Sequence, residues 1–223
     1  MSKTVLDDGF QQYLIKDAVL VGAPGIPMLM NLNNTSIPKS LIPFTKAKTC
    51  PNYRQYVHFY MHDREFSRVL TATKRYLNLL KQYDGVITPD CSMIINQSAC
   101  LQQTSTYFNR AVGLFLQKNG IPVIPNVRWS DESSFDYCFL GIPPKTMVCI
   151  STHGCIHTRE QRKMFRRGIG ALLNALRPPT ILVHGHMPPD IFDDYRKATT
   201  FYRYPSQFEI THRKEGYKNG HRL

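Results

Sequence analysis

The chain has 223 residues, of which 42% are hydrophobic and 20% charged, as expected for a soluble globular protein and not for a disordered one. No apolar run approaches the roughly 18 residues that a membrane-spanning helix needs, and the N-terminal residues, with Asp7 and Asp8, are not expected to form a signal peptide. Lys and Arg number 28 against 16 Asp and Glu, and this net charge of +12 favours an anionic partner such as nucleic acid or a phosphorylated ligand.

Residues 1–50 are predicted to form an N-terminal extension packed on the main domain. A strand is expected at 18–21, followed by a turn at 22–25. The segment 26–50 is rich in Pro, Asn, Thr and Lys, which indicates a loop. We expect it to pack over the domain through Leu29, Leu41, Ile42 and Phe44.

After residue 56 the pattern alternates between strands and helices. Strands are predicted at 57–61, 86–88, 146–150, 180–183 and 200–204, with one more in the stretch 120–132. Helices are predicted at 64–83, 97–118, 132–139 and 190–197, and another follows Thr158. Thr158 and Gln161 have the spacing of a capping box, in which each side chain hydrogen-bonds the other's backbone at the start of a helix.

This alternation predicts right-handed crossovers and a mostly parallel sheet. We therefore expect a single α/β domain over residues 51–205, with five or six mostly parallel strands and crossover helices in a doubly wound sheet. An incomplete β/α barrel is the alternative, because the sequence does not distinguish a closed sheet from an open one. Residues 206–223 are predicted to be a basic C-terminal tail.

Polar side chains follow the predicted strands and should meet at one edge of the sheet, where ligands bind in such folds. Carboxylates beside imidazoles are typical of a divalent-metal site or an acid–base pair. We expect Asp63, Asp90 and Asp131 to bind Mg²⁺ or Mn²⁺ or to activate water, and Glu132 or His153 to transfer the proton. Arg128 would hold a phosphate, and the remaining substrate contacts would come from Ser92, Trp129, Thr152 and His184. Each aspartate also precedes a predicted helix and could instead cap it, and Trp129 could instead anchor the core.

Five cations occupy the first turns of the helix after Thr158: Arg159, Arg162, Lys163, Arg166 and Arg167. They repel one another and oppose the positive N-terminal end of the helix dipole. Because stability does not favour this placement, the cluster predicts an anionic partner, such as nucleic acid.

The stretches NVRWSDE and STHGC, with further pieces over most of residues 10–195, resemble a family of bacterial, phage and mobile-element proteins catalogued as a domain of unknown function (number 4417). The resemblance brings no activity. It implies an intracellular setting, which is the host cytoplasm if the protein is phage-encoded. The six cysteines form no C-x-x-C pair and are likewise expected to be reduced thiols in a cytoplasm.

These features favour an enzyme that acts on nucleic acid or a nucleotide, by phosphoester hydrolysis assisted by a metal ion. One alternative is a non-catalytic module that binds nucleic acid or a host protein through the basic helix. Another is hydrolysis of a glycosidic bond by two carboxylates, which needs no metal.

Overall fold

The computed structural model describes residues 11–31 and 36–211 of the chain. The strands are β1 (Leu20–Val21), β2 (Ile26–Pro27), β3 (Leu41–Pro43), β4 (Tyr56–His58), β5 (Gly85–Ile87), β6 (Val123–Ile124), β7 (Val148–Ser151), β8 (Thr180–His184) and β9 (Thr200–Tyr204). The α-helices are α1 (Phe44–Ala47), α2 (Asp63–Thr71), α3 (Leu77–Leu80), α4 (Ala99–Lys118), α5 (Phe135–Cys138), α6 (Arg159–Leu176) and α7 (Pro189–Phe192). In this part of the chain, no helix combines the length and apolarity that crossing a membrane requires.

Seven strands run parallel and neighbour one another in the order in which they occur in the chain. β3 to β6 form one sheet and β7 to β9 a second, while β1 and β2 form a separate antiparallel pair. Two backbone hydrogen bonds of 2.8 Å connect the two parallel sheets, from Cys149 N to Pro125 O and from Val127 N to Cys149 O. The predicted α/β class, with mostly parallel strands and helices between them, is confirmed.

The sequential strand order corresponds to the β/α barrel alternative and not to a doubly wound sheet, in which the order reverses at a switch point. Side chains from all seven parallel strands pack in one interior cluster: Leu41, Tyr56, Ile87, Ile124, Cys149, Leu182 and Tyr204. Tyr204 Oη donates a 2.5 Å hydrogen bond to Pro38 O, which brings the end of β9 next to the segment before β3. The seven strands therefore form an incomplete barrel.

The helices cover the outer side of the strands with two further apolar clusters. One contains Phe66 and Val69 of α2 with Val112 of α4. The other contains Ile169 and Leu172 of α6. Successive right-handed crossovers place every helix on the same side of a sequentially ordered sheet, so the opposite face is free to close on itself.

Three elements differ from the sequence expectation. Strand β3 lies within the segment that was expected to be a loop; it is three residues long and ends in Pro43, and a proline without an N–H is tolerated in an edge strand. The helix expected at 64–83 is interrupted at Ala72, where φ is −151° and ψ is 46°. Strand β6 is reduced to two residues because Pro122 and Pro125, which lack N–H donors, flank it. The expected basic tail beyond residue 211 lies outside the described residues.

Helix α6 begins as its sequence predicts. Gln161 N donates to Thr158 Oγ1 at 3.1 Å, and Thr158 N donates to Gln161 Oε1 at 3.1 Å, which completes the capping box. Gly168 lets Trp129 pack against the helix, because a Cβ at this position would lie 2.2 Å from the indole Cε2.

Candidate active site at the barrel mouth

A cleft of about 970 Å³ opens at the carboxyl ends of β4 to β7, on the side where parallel barrels place their active sites. We call it the barrel-mouth cleft. Its lining includes Tyr60, Asp63, Arg64, Glu65, Asp90, Ser92, Arg128, Ser151 and His153. Two arginines and three carboxyl groups line it, so apart from its histidines the cleft carries one net negative charge when all three carboxyl groups are ionised.

Asp90 is the most constrained carboxylate of the cleft and is only 9% exposed. Asn126 Nδ2 donates to its Oδ1 at 2.8 Å, and Arg128 Nη1 lies 3.3 Å from its Oδ2. Burial raises the pKa of Asp90 above its usual value, while Arg128 and Asn126 act in the opposite direction. The charge of Asp90 in turn raises the pKa of Arg128. Asp90 is therefore a buried carboxyl group suited to holding and releasing a proton.

Asn126 holds Asp90 in place because its own groups are all engaged. Its side-chain oxygen accepts a 3.0 Å hydrogen bond from Tyr60 Oη, and its backbone N–H donates to Thr88 Oγ1 at 2.7 Å. Its carbonyl accepts from Arg110 Nη1 at 3.0 Å. One residue of the segment after β6 thus joins α4 and the segments that follow β4 and β5.

Arg110 is buried in α4 with 1% exposure and is surrounded by carbonyl groups. Its Nε donates to Leu140 O at 3.0 Å and its Nη2 to Cys138 O at 2.7 Å, and it also contacts the side-chain oxygen of Asn109. Within the described residues it forms no ion pair with a carboxylate. Burial lowers the pKa of Arg110 to about 10. It fixes the segment after β6 from the back of the site.

Asp63 is the second carboxylate of the cleft. It is the first residue of α2, whose N-cap is His62, and its carboxylate accepts from Ser92 N at 3.0 Å and from Ser92 Oγ at 2.9 Å. Its charge contributes to raising the pKa of Asp90, so the two carboxylates interact electrostatically. The sequence prediction that Asp63, Asp90, Ser92, Arg128 and His153 meet is matched by their common cleft.

His184 lies inside the barrel and not on the surface of the cleft. It is 2% exposed, stacks on Tyr60 at a centroid distance of 4.4 Å and lies 4.8 Å from the ring of His58. Burial, and secondarily His153, lowers the pKa of His184 to about 3, so the imidazole is neutral at pH 7. Its Nδ1 lies 3.1 Å from Ser151 Oγ, while its Nε2 has no hydrogen-bond partner among the described residues.

Thr152 has a structural position. It is 2% exposed, and its Oγ1 donates to His186 O at 2.7 Å, which joins the loops after β7 and β8. Direct contact with a substrate was expected for this residue. In the structure, it supports the loop that carries His153.

Asp131 and Glu132 do not join the other carboxylates. Asp131 caps a 3₁₀ turn at Glu132–Ser134, where its Oδ1 accepts from Ser133 N at 3.0 Å and Ser133 Oγ at 2.6 Å. Glu132 pairs with Arg167 at 2.7 Å on the surface. Neither residue lines the barrel-mouth cleft. The observed contacts of Asp131 are those of a capping residue, which is the alternative that the sequence offered for it.

The three aspartates expected to bind Mg²⁺ or Mn²⁺ do not share one site, because Asp131 lies outside the barrel-mouth cleft. In residues 11–31 and 36–211, no three His, Cys, Asp or Glu side chains are grouped so that they could hold a metal ion. The oxygens of Asp90 already face Arg128 and Asn126, and a guanidinium next to the carboxylate opposes the approach of a cation. The expected metal site of Asp63, Asp90 and Asp131 is therefore not assembled.

A second, smaller cavity of about 300 Å³ adjoins the cleft, and we call it the side pocket. Its walls include Trp129, Phe165, Met164 and Cys155, and it shares Arg128 and Ser151 with the cleft. Trp129 is 8% exposed and lies 5.0 Å from the ring of Phe165. The indole is thus both part of the core and a wall of the pocket.

The cations of α6 are partly neutralised by acids that are distant in the chain. Arg162 pairs with Asp190, Arg166 with Asp194 and Arg167 with Glu132. Arg159 and Lys163 are exposed and form no ion pair within the described part of the chain. The repulsion inferred from the sequence is therefore relieved for three of the five cations.

Sequence reasoning missed Asn126, Tyr60 and Arg110. Asn126 follows the apolar β6 as Asp90 follows β5, so the rule that site residues follow strands would have found it. Tyr60 follows β4, and its ring stacks on that of His58, the last residue of the strand, at a centroid distance of 5.2 Å. Nothing in the sequence distinguishes Arg110 from an exposed helical arginine.

Comparisons with known proteins extend over most of the barrel. The profile of the family described as Domain of unknown function (DUF4417) matches residues 18–205. The chain is 30% identical over 158 residues to the Gene 1 protein of Mycobacterium phage L5, which covers 67% of this chain and 69% of that protein. It is 28% identical over 158 residues to the Gene 1 protein of Mycobacterium phage D29, covering 67% of this chain but only 58% of that protein. No solved structure matches the chain.

Proposed function

The chain belongs to the DUF4417 family, and from the geometry of the barrel-mouth cleft we propose that it is a hydrolase that cleaves a glycosidic bond in a nucleotide or nucleic acid. The observation that carries this proposal is the pair of carboxylates, Asp63 and Asp90, in one cleft at the mouth of a β/α barrel. Two carboxyl groups in different environments are the usual equipment for glycosidic hydrolysis.

The environments of the two carboxyl groups suggest their roles. Asp90, whose pKa is raised by burial, donates a proton to the leaving group as the bond to the anomeric carbon breaks. Asp63, held by two hydrogen bonds from Ser92, accepts a proton from the water that attacks the same carbon. The hydroxyl group of the water joins the anomeric carbon, and the leaving group carries the proton from Asp90. Proton exchange with solvent then restores the protonated Asp90 and the ionised Asp63.

The charge of the cleft favours this bond over a phosphoester. The transition state of glycosidic hydrolysis resembles a positively charged oxocarbenium ion, which the carboxylates that line the cleft stabilise as Asp90 gives up its proton. Phosphoester hydrolysis would need several cations or a metal ion around the phosphate. Arg128 is already paired with Asp90, and the expected site of three aspartates is not assembled.

The substrate class rests on the charge of the whole chain. A net charge of +12 attracts polyanions over long distances, and the relatives are phage proteins. All six cysteines are free thiols, which fits action in a cytoplasm, that of the host cell if the protein is phage-encoded. Nucleotides and nucleic acids are the anionic glycosides of that compartment.

The test is release of free base from nucleosides, nucleotides and oligonucleotides, measured by chromatography. Asp90→Asn and Asp63→Asn should each lower kcat at least about 100-fold. Asp131→Asn is the matched control, because its carboxylate caps a surface turn, and it should keep wild-type activity. Base release that survives both cleft substitutions would overturn the proposal, as would loss of release in the control alone.

A second candidate function is binding of nucleic acid by α6 without catalysis. Arg159 and Lys163 favour it, since both are exposed and have no ion pair in the described part of the chain. In this case, Asp63→Asn and Asp90→Asn would leave the affinity for nucleic acid unchanged.

A further inference from the structure

The side pocket differs in chemistry from the cleft that it adjoins. Its walls are mainly apolar or aromatic, and Arg128, which it shares with the cleft, is its one charged lining residue among those described. A phosphate would be poorly solvated there, because a buried anion needs several compensating charges or donors. A flat, neutral, mostly apolar group is suited to such a pocket.

We propose that the side pocket binds a nucleobase, the leaving group of the glycosidic bond, an inference that rests on the proposed function. The indole of Trp129 and the ring of Phe165 line the pocket with their centroids 5.0 Å apart and their planes tilted by 45°, so a base that enters contacts aromatic side chains. The volume of about 300 Å³ accommodates a single heterocycle.

Two polar side chains in the pocket wall can read the edge of a base. Gln161 Oε1 accepts hydrogen bonds from His157 N at 2.9 Å and from Thr158 N. The amide nitrogen of Gln161 has no partner among the described residues, so it can donate a hydrogen bond into the pocket. Ser130 Oγ donates to Gln102 Oε1 at 2.7 Å, so its lone pairs remain as acceptors. A base edge carries both acceptors and donors, and the two side chains match this pattern.

The position of the pocket links the base to the catalytic carboxylates. Arg128 and Ser151 line both spaces, and Arg128 Nη1 lies 3.3 Å from Asp90 Oδ2. A base in the side pocket therefore places its attached sugar in the cleft, where Asp63 and Asp90 lie. The leaving atom of the base is then on the side of Asp90, the proton donor.

The experiment uses Trp129 as the reporter, since it is the only tryptophan in the chain. Adenosine, guanosine, cytidine and uridine are titrated into the full-length protein while its fluorescence is recorded. Saturable quenching by at least one nucleoside is expected, and none by ribose 5-phosphate. Quenching by no nucleoside, or equal quenching by ribose 5-phosphate or by an oligosaccharide without a base, would overturn the inference.

A pair of matched variants locates the binding. Cys155→Phe fills the pocket wall and should weaken nucleoside binding at least 10-fold, whereas Cys100→Phe, at an exposed position outside the pocket, should leave it unchanged. Labelling the thiols of the wild-type protein provides a check that does not depend on whether a variant folds. A saturating nucleoside should slow the reaction of Cys155 with iodoacetamide and leave that of Cys100 unchanged. Equal rates with and without nucleoside would contradict the assignment.

The two proposals fail separately in this experiment. Nucleoside binding that Cys155→Phe abolishes, without base release by the wild type, overturns the hydrolase but supports the pocket. Base release that depends on Asp90 but is unchanged in Cys155→Phe supports the hydrolase and overturns the pocket. Titrating nucleosides into the Asp90→Asn variant as well measures the binding affinity without turnover. This affinity should equal that of the wild type within about 3-fold.

Discussion

Asn126 Nδ2 and Asp90 Oδ1 are joined by a 2.8 Å hydrogen bond, although the two residues are 36 positions apart in the chain. The same carboxylate faces Arg128 on its other oxygen. Both contacts favour the ionised form of Asp90, and burial favours the protonated form. The acidity of the proposed proton donor therefore depends on two neighbours that are contributed by the segment after β6.

The first prediction concerns the pH dependence of activity. As a general acid, Asp90 is active when protonated, so kcat/KM should fall as pH rises through its pKa. Arg128→Gln removes the largest contribution that lowers this pKa. The fall of kcat/KM on the alkaline side of the profile, which we call the alkaline limb, should therefore move to higher pH. Asn126→Ala should move it in the same direction but less, because a neutral amide contributes less than a charge.

Arg64→Gln is the control for this profile, because Arg64 lines the same cleft and carries the same charge but does not pair with Asp90. Its alkaline limb should coincide with that of the wild type. A limb that moves to lower pH in Arg128→Gln would contradict the role of Asp90 as an acid.

The second prediction concerns stability in acid. Burial lowers the pKa of His184 to about 3 and that of His58 well below its usual value, so between pH 6.5 and 3 the unfolded chain binds more protons than the folded one. Stability should therefore fall as pH drops below about 6.5. For His184 alone, the loss amounts to about 2 kcal/mol at pH 5. Urea unfolding at pH 5, 6 and 7 measures it.

His184→Phe should reduce the slope of unfolding free energy against pH, whatever its effect on absolute stability. His157→Gln, at an exposed position, should keep the wild-type slope. An unchanged slope in His184→Phe would mean that this imidazole is already charged in the folded protein.

The third prediction concerns the buried guanidinium of Arg110. Arg110→Met keeps the bulk of the side chain but removes the donor to the carbonyls of Cys138 and Leu140, and it leaves the Asn126 carbonyl with its bond from Asn109 Nδ2 alone. We expect a loss of about 3 kcal/mol in the free energy of unfolding. Arg75→Met, at an exposed position, should stay within about 0.5 kcal/mol of the wild type. Equal effects would show that the buried hydrogen bonds contribute little.

The fourth prediction concerns two glycines of α6. Gly168→Ala should destabilise by about 1 to 3 kcal/mol, although alanine favours a helix, because its Cβ would lie 2.2 Å from the ring of Trp129. At Gly170, the nearest atom to an added Cβ is Tyr195 Oη at 3.1 Å, the end of a half-buried side chain that can shift. Gly170→Ala should therefore unfold at a higher urea concentration than Gly168→Ala. The reverse order would argue against the packing of Trp129 on α6.

The fifth prediction concerns nucleic-acid binding. If Arg159 and Lys163 bind phosphates, the double variant Arg159→Glu with Lys163→Glu should reduce the slope of log affinity against log salt by about 1 for each phosphate that is no longer bound. Arg75→Glu with Lys81→Glu gives the same change of net charge at other exposed positions and serves as the control. Equal slopes in both double variants would indicate a contribution of net charge only.

Much of the fold followed from local patterns in the sequence. The alternation of strands and helices after residue 56 could be predicted because the short apolar runs of strands and the apolar stripes of helices differ in period. The start of α6 could be predicted because a capping box is a local contact between residues three positions apart in the sequence. The convergence of Asp63, Asp90 and His153 followed from the parallel direction of the strands.

The remaining features depend on contacts between distant residues. Asp131 follows its strand as Asp90 does, but a turn directs it to its neighbour Ser133. The pairing of Arg162 with Asp190, 28 positions away, neutralises a cation that looks unpaired in the sequence. Whether a parallel sheet closes depends on its strand order, and local sequence patterns do not specify that order.

The hydrogen bond between Tyr204 and Pro38 has a mechanical consequence. Among the described residues, β3 pairs only with β4 and β9 only with β8, so no ladder of main-chain bonds connects these two edges. In this part of the chain, the circumference of the barrel is thus closed through the phenol of Tyr204. Strands β3 and β9 can therefore separate without breaking main-chain pairing, at the cost of this hydrogen bond and of the packing of Leu41 and Tyr204 in the interior cluster.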